Sequence, residues 1–222
     1  GRVTTWYDQG GTNHATQSTA SAQPKLVDAG TLVTEGGQAA VDFDGADDYL
    51  SGQDNGSFDS IRQGAFSYFA VAKLDNFVSY ASLLNFSLGS GDGGGVPALQ
   101  FASNSPRFGP HDTWRNASTI TEVNLPNINN ESLFTLTRDN TGTNGNGASV
   151  SVYVKDNASG NVSNTGVQGF ASLSGTSYYI GSQNFVGWWG GKIKEIVIFN
   201  TDQSANRTGI ETNINDHFDI YS

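Results

Sequence analysis

The stretch ASVSVYVK, Ala148 to Lys155, constrains the fold of this chain more than any other. Val150, Val152 and Val154 alternate with Ser149, Ser151 and Tyr153, and a period of two places alternate side chains on opposite faces of an extended strand. A helix could not hold those three valines on one side. The stretches FSYFAVAKL (66–74) and LFTLTRD (133–139) also read as strands. Around them lie the Gly- and Asn-rich clusters NTGTNGNG (140–147) and DNASGN (156–161), which supply the left-handed conformations that hairpin turns need. The expected architecture is antiparallel, with many short strands.

One segment breaks the pattern. After Thr201, Asp202 and Ser204, all able to cap a helix, Ile210, Ile214 and Phe218 recur at intervals of four, which predicts a short amphipathic C-terminal helix over 204–218. Just before it, KIKEIVIFN (192–200) is apolar on both faces from Ile196 to Phe199, as expected of an interior strand covered on both sides. The helix is expected to close over the sheet near that strand. No fixed-period repeat and no clear linker divides the 222 residues, so one all-β domain spanning 1–222 is the simplest way to bury a core.

The net charge of −10, with only 11 Lys and Arg, argues against a phosphate-backbone partner, so neither nucleic acid nor an anionic membrane is expected. No apolar run is long enough for a transmembrane helix, and membrane insertion is not expected. The absence of cysteine excludes disulfides, a thiolate nucleophile and Cys-ligated zinc. A chain that begins Gly-Arg-Val and contains no methionine reads as a piece of a longer polypeptide, with other domains of that polypeptide as partners.

Motifs for catalysis are weak. GSGDGG (89–94) has the spacing G-x-G-x-x-G but leads into Val96, Pro97 and a strand-like ALQF instead of a helix, so it lacks the phosphate-cradling context. No G-x-S-x-G elbow is present. A retaining glycosidase needs two carboxyl groups about 5 Å apart, supplied in jelly-roll β-glucanases by glutamates four or five residues apart on one strand. Glu35, Glu122, Glu131, Glu195 and Glu211 include no such pair. A carboxylate pair from distant strands stays open, with Glu195 as its best member, against the simpler reading of a carboxylate hydrogen-bonded within the fold. No catalytic residue is assigned.

Binding candidates are stronger. VDFDGADDYL (41–50) crowds Asp42, Asp44, Asp47 and Asp48, hard oxygen donors that suit calcium, although the EF-hand spacing is missing. The competing reading is a hairpin turning at Asp44-Gly45 with Phe43 and Tyr49 pointing inward. His14, His111 and His217 lack metal-site spacing. Trp189 shares a strand face with Ile193 and Val197 and reads as core, whereas Trp188 falls on the opposite face beside Gly190-Gly191. Trp188, and Trp114 with Asp112 in the HDTWRN loop, are candidates for contacting a sugar, as an indole face stacks on a pyranose. In the opening loop WYDQGGTNHATQ (6–17), Asp8, Asn13 and Gln17 read mainly as turn-binding side chains anchored by Trp6, with Asn13 and His14 kept as ligand candidates.

The order TWYDQGGTNHATQ, PKLV, AVDFDGADDYL, YYIGS and GGKIKEIVIFN, followed by DQSANRTGIETNIN, resembles the laminin-G-like, concanavalin A-like jelly-roll modules of bacterial and phage surface proteins. The likeness runs from Val3 to Tyr221. The opening loop is also similar to one in arabinofuranosidase B catalytic domains, but it is a residue shorter here, and those disulfide-rich enzymes offer no catalytic residue to carry over. The resemblance implies two packed antiparallel sheets with a short C-terminal helix, on a secreted, cell-surface or virion protein. Three functions are consistent with it: a non-catalytic module for carbohydrate binding or adhesion, a structural virion decoration or fibre domain, and a polysaccharide-active hydrolase or lyase. The fold alone does not choose among them.

Overall fold

The computed structural model describes residues 1–53, 56, 58, 64–86, 98–101, 107–111, 123–125, 129–139, 148–157, 160–168, 177–182 and 187–222. The first strands are β1 (Thr5–Trp6) and β2 (Ala15–Thr16), then two short hairpins, β3 (Val27–Asp28) with β4 (Thr31–Leu32) and β5 (Thr34–Glu35) with β6 (Gln38–Ala39). Next come β7 (Val41–Asp44), β8 (Leu50–Gln53), β9 (Phe66–Leu74), β10 (Ser82–Phe86), β11 (Ala98–Phe101), β12 (Arg107–His111) and β13 (Val123–Asn124). The last strands are β14 (Ser132–Arg138), β15 (Ala148–Asp156), β16 (Gly160–Gln168), β17 (Ser177–Ile180) and β18 (Gly190–Phe199), before helix α1 (Arg207–Phe218).

Two antiparallel sheets form an all-β sandwich. One has eight strands in the order β1-β2-β8-β17-β10-β11-β12-β13, the other six in the order β16-β15-β14-β9-β18-β7. The alternation read in β15 is realised: Val150, Val152 and Val154 are fully buried and face Phe66, Tyr68, Phe134 and Leu136 of the same sheet's inner face. Leu50, Leu84, Phe86, Tyr178 and Ile180 close the core from the eight-stranded sheet. The opposite face of the six-stranded sheet presents Phe69, Val71 and Leu133, and Ile214 and Phe218 of α1 cover them. Strand β18 is interior, with Ile196 and Ile198 towards the central core and Val197 and Phe199 towards the helix, which explains its unbroken apolar run.

The structure corrects two expectations. Helix α1 starts at Arg207 and not at Ser204, because the Asp202 carboxylate takes the Ser204 N–H and hydroxyl and holds 202–206 in a turn. Neither Thr201 nor Ser204 serves as its cap: the N-cap is Asn206, whose side chain makes no capping bond. The segment 41–50 is not a hairpin, since β7 belongs to the six-stranded sheet and β8 to the eight-stranded one. Residues 45–49 therefore cross between sheets, Phe43 entering the core while Tyr49 stays half-buried outside it.

At that crossing Gly181 has φ of +83°, and a Cβ there would lie 2.4 Å from the Phe43 ring. Any side chain would both strain the backbone and collide with the core. Trp189 is fully buried beside Phe134 and shares the core with Ile193, but Val197, expected on the same face, turns to the helix because the register shifts between Ile193 and Glu195. The backbone N–H of Trp189 donates to the Gly181 carbonyl at 2.8 Å. Trp189→Ala is expected to cost about 3–5 kcal/mol in denaturant melts, the scale of deleting a core aromatic. Gly209 in α1 has open space around its Cβ position, so Gly209→Ala should raise stability by roughly 0.5–1 kcal/mol in the same melts.

Candidate functional site

The opening loop is a built turn. Asp8 accepts the N–H groups of Gly10 at 2.9 Å and Asn13 at 3.1 Å, one on each carboxylate oxygen. Nδ1 of His14 accepts the Asp8 N–H at 3.1 Å, and its ring meets Tyr7 edge-on at 5.1 Å. His14 is thus engaged through Nδ1, leaving Nε2 for a ligand. Asn13 is half-buried, and its Oδ1 has no hydrogen-bond partner among the described residues. Gln17 is buried, holding the Thr19 N–H and donating to the Tyr49 carbonyl, while Trp6 packs against the core.

Gln17 ties this loop to the second feature. Tyr49 is fixed from both sides, its carbonyl by Gln17 and its N–H by the Ala22 carbonyl at 3.2 Å. Its ring meets Trp188 at 6.0 Å and Tyr179 at 6.1 Å between centroids, both tilted, forming an aromatic trio. Strand alternation explains Tyr179: Tyr178 and Ile180 turn into the core, so Tyr179 takes the other face, opposite Ser51 in the register. Its neighbours leave it only 9% exposed there, and Tyr49 and Trp188 are the more open rings of the trio. Trp188 is half-buried, one residue before the buried Trp189. Beside Tyr49 opens a pocket of about 430 Å³ lined by Thr4, Thr16, Gln17, Ser18, Gln23 and Ser51. Apart from the Tyr49 ring its lining is hydroxyl and amide, groups that donate and accept hydrogen bonds without carrying charge.

The acidic cluster adjoins Tyr49 in sequence. Asp44, Asp47 and Asp48 each offer a carboxylate oxygen within 4.8 Å of the others. Asp42 is not part of this group; its surroundings include Lys192, Asp75, Lys25 and Asp28, and burial raises its pKa. Burial also pushes the Asp44 carboxyl up, but its Oδ1 accepts the N–H groups of Ala46, Asp47 and Asp48, which outweigh burial and bring its pKa below the usual carboxylate range. Asp48 goes the other way. Its side chain is 1% exposed, and burial, aided by the Asp44 charge, pushes it up to about 6 despite the Asp44 N–H at 3.1 Å and the Arg2 guanidinium at 3.4 Å.

The glutamates separate by environment. Glu35 pairs with Lys73 and Lys192, Glu131 with Lys194, and buried Glu211 with Lys155 and Arg207. Glu195, the sequence's best carboxylate, has no hydrogen bond or ion pair among the described residues, so the reading of an internally bonded side chain does not hold for them. Burial raises its pKa, partly offset by His217. Trp114, Asp112, Glu122 and the GSGDGG loop lie outside the described residues.

The sequence singles out Trp188 and the acids as candidates but not Tyr49, Tyr179, Thr16 and Ser51, which the fold places near them. The doublet Tyr178-Tyr179 carried a signal, since alternation must turn one of two adjacent tyrosines outward; nothing local showed that Tyr49 would meet them from another strand.

No family model and no curated protein sequence matches this chain. Among solved structures it is similar to the Trypanosoma rangeli sialidase in complex with the inhibitor DANA, with a TM-score of 0.58, 16% identity and coverage of 91% of this chain. The same sialidase in complex with 2,3-difluorosialic acid gives a TM-score of 0.56 at 16% identity and 90% coverage. The chain spans 30% and 29% of those two sialidase chains. Domain 4 of a GH43 extracellular arabinanase from Geobacillus stearothermophilus, in complex with arabinotriose, gives a TM-score of 0.41 at 15% identity, covering 81% of this chain and 75% of that one. At these identities the sialidase likeness establishes a shared fold.

Asp48 gives this region a pH signature. Its folded pKa of about 6 exceeds the ordinary 3.8, so the folded state binds the proton more tightly. The resulting penalty is present in full above pH 6 and disappears as pH falls through 6 towards 3.8. Relative to Asp48→Asn, the parent should gain about 2–3 kcal/mol between pH 7 and 4 in urea melts. A difference that is flat with pH would show that Asp48 titrates normally.

Proposed function

We propose that this chain is a non-catalytic carbohydrate-binding module of the laminin-G-like, concanavalin A-like jelly-roll kind, carried by an extracellular, cell-surface or virion protein and joined there to other domains. The observation that carries this reading is the trio Tyr49, Tyr179 and Trp188 beside an uncharged pocket of hydroxyls and amides. A saccharide presents apolar C–H faces and a rim of hydroxyls. Aromatic rings bury the first, and side chains such as Thr16, Gln17 and Ser51 bond the second. The fold shared with part of a sialidase fits a role in carbohydrate chemistry without assigning a substrate. His14 and Asn13 lie in the turn that Gln17 connects to this pocket, and they act on the ligand chiefly by fixing that turn.

Calcium belongs to the same reading. Asp44, Asp47 and Asp48 fit a hard cation in donor type and spacing, with Asp44 Oδ2 and the exposed Asp47 carboxylate making no hydrogen bond among the described residues. Bound there, calcium would brace the crossing that holds Tyr49. A cation that binds only the folded state raises the melting temperature, and identical melts in chelator and in millimolar calcium would remove it from this reading. Its effect should fade below pH 6, where the proton on Asp48 competes with the metal.

A glycan array run with and without calcium identifies the ligand. Against the best array ligand, Trp188→Ala should weaken binding by about 1–3 kcal/mol in calorimetric titration, the scale of burying one large side chain, with the fold unchanged. Undiminished binding by that variant would separate the aromatic trio from the ligand.

A further inference from the structure

Glu195 is not explained by the site around Tyr49. It lies at the mouth of a groove of about 770 Å³ between β18 and α1, on the opposite sheet from β8 and β17. The floor is apolar: Val197 and Phe199 from the strand, Ile210 and Ile214 from the helix. Phe199 is held edge-on against Phe69 at 5.9 Å, so the floor is part of the packed layer under the helix. Glu195, Asn213 and His217 add polar groups around it.

A half-buried carboxylate with no bonding partner among the described residues, set against an apolar surface, is costly to keep ionised. Among the residues lining the groove, His217 is the one side chain able to carry positive charge, and it only partly offsets the burial of Glu195. No lysine or arginine lines the groove, and the neighbouring Lys194 is committed to Glu131. His217 stands in the last turn of α1, where the helix dipole is negative, and the chain carries a net charge of −10. This combination disfavours an anion, offers a neutral molecule at most a hydrogen bond to Glu195, and suits a cation with an apolar body.

We propose that the groove binds an organic ammonium ion, its apolar body lying on Val197, Phe199, Ile210 and Ile214 and its ammonium group meeting the Glu195 carboxylate. The site is independent of carbohydrate binding at the aromatic trio, so either reading can fail without the other.

Three probes of the same shape and different charge test it: 2-phenylethylammonium, phenylacetate and 2-phenylethanol, each titrated into the full chain near neutral pH and followed by amide NMR. The ammonium should shift the amides of 195–199 and 206–217 saturably, with a Kd on the order of 1 mM. The acid and the alcohol should bind at least about tenfold more weakly, because the acid is repelled by the Glu195 carboxylate and the alcohol can hydrogen-bond it but brings no opposite charge. Glu195→Gln keeps the shape, removes the charge and should weaken ammonium binding about tenfold. Asn213→Lys places a competing cation at an exposed helix position and should do the same, which keeps the test valid if Glu195→Gln unfolds. The proposal is overturned if the alcohol binds as tightly as the ammonium, if both variants retain parental affinity, or if no saturable shift appears by about 20 mM ammonium.

Discussion

The packing of Trp189 against the turn at Gly181 is the contact on which the rest of this structure depends. Trp189 immediately precedes the longest strand of the six-stranded sheet, and Gly181 follows the strand that carries Tyr178 and Tyr179 in the other sheet. Their hydrogen bond ties the two sheets at one point, and the Phe43 ring fills the space where a Cβ at Gly181 would be. Once Trp189 is inside, Trp188 cannot be, because successive side chains alternate. The same rule that buries Tyr178 puts Tyr179 on the other face. The aromatic trio is therefore a by-product of how the sandwich is fastened.

Charge is distributed with similar economy. Most of the described carboxylates are spent on structure: Asp8 folds the opening loop, Asp44 the crossing between sheets, and Glu35, Glu131 and Glu211 hold lysines or an arginine against strands and helix. Two of the less exposed ones stand apart. Asp48 is buried against Arg2 with a raised pKa, and Glu195 stands half-buried over an apolar groove. Such carboxylates are where a bound cation would relieve a cost that folding alone leaves in place. Asp48 lies in the crossing between the sheets and Glu195 on a strand of the six-stranded sheet.

Strand identity was legible because it depends on short-range alternation: the valines of 148–155 and the apolar run of 196–199 sort themselves onto faces whatever their neighbours are. The helix was legible from Ile210, Ile214 and Phe218, but its first turn was not, because Asp202 bonds Ser204 locally and draws the segment into a turn before any cap can form. The crossing at 45–49 was misread as a hairpin for a comparable reason. Asp44-Gly45 makes a tight turn in either case, and only the partners of β7 and β8, far away in sequence, decide whether the strands on each side pair with each other.

What the sequence determined by itself is the all-β character, the C-terminal helix, the buried Trp189 and the inventory of acids and aromatics, since each follows from periodicity or composition within a dozen residues. What only the tertiary structure decided is which of those side chains meet. Tyr49, Tyr179 and Trp188 come from three separate segments, and Asp42 parts from Asp44, Asp47 and Asp48 although it stands beside them in the chain. Glu195 faces a groove because a helix 12 residues long happens to cross its strand there. Local sequence fixes which face a residue occupies, but sheet order and register fix its neighbours, and those arise from pairings between strands that are distant along the chain.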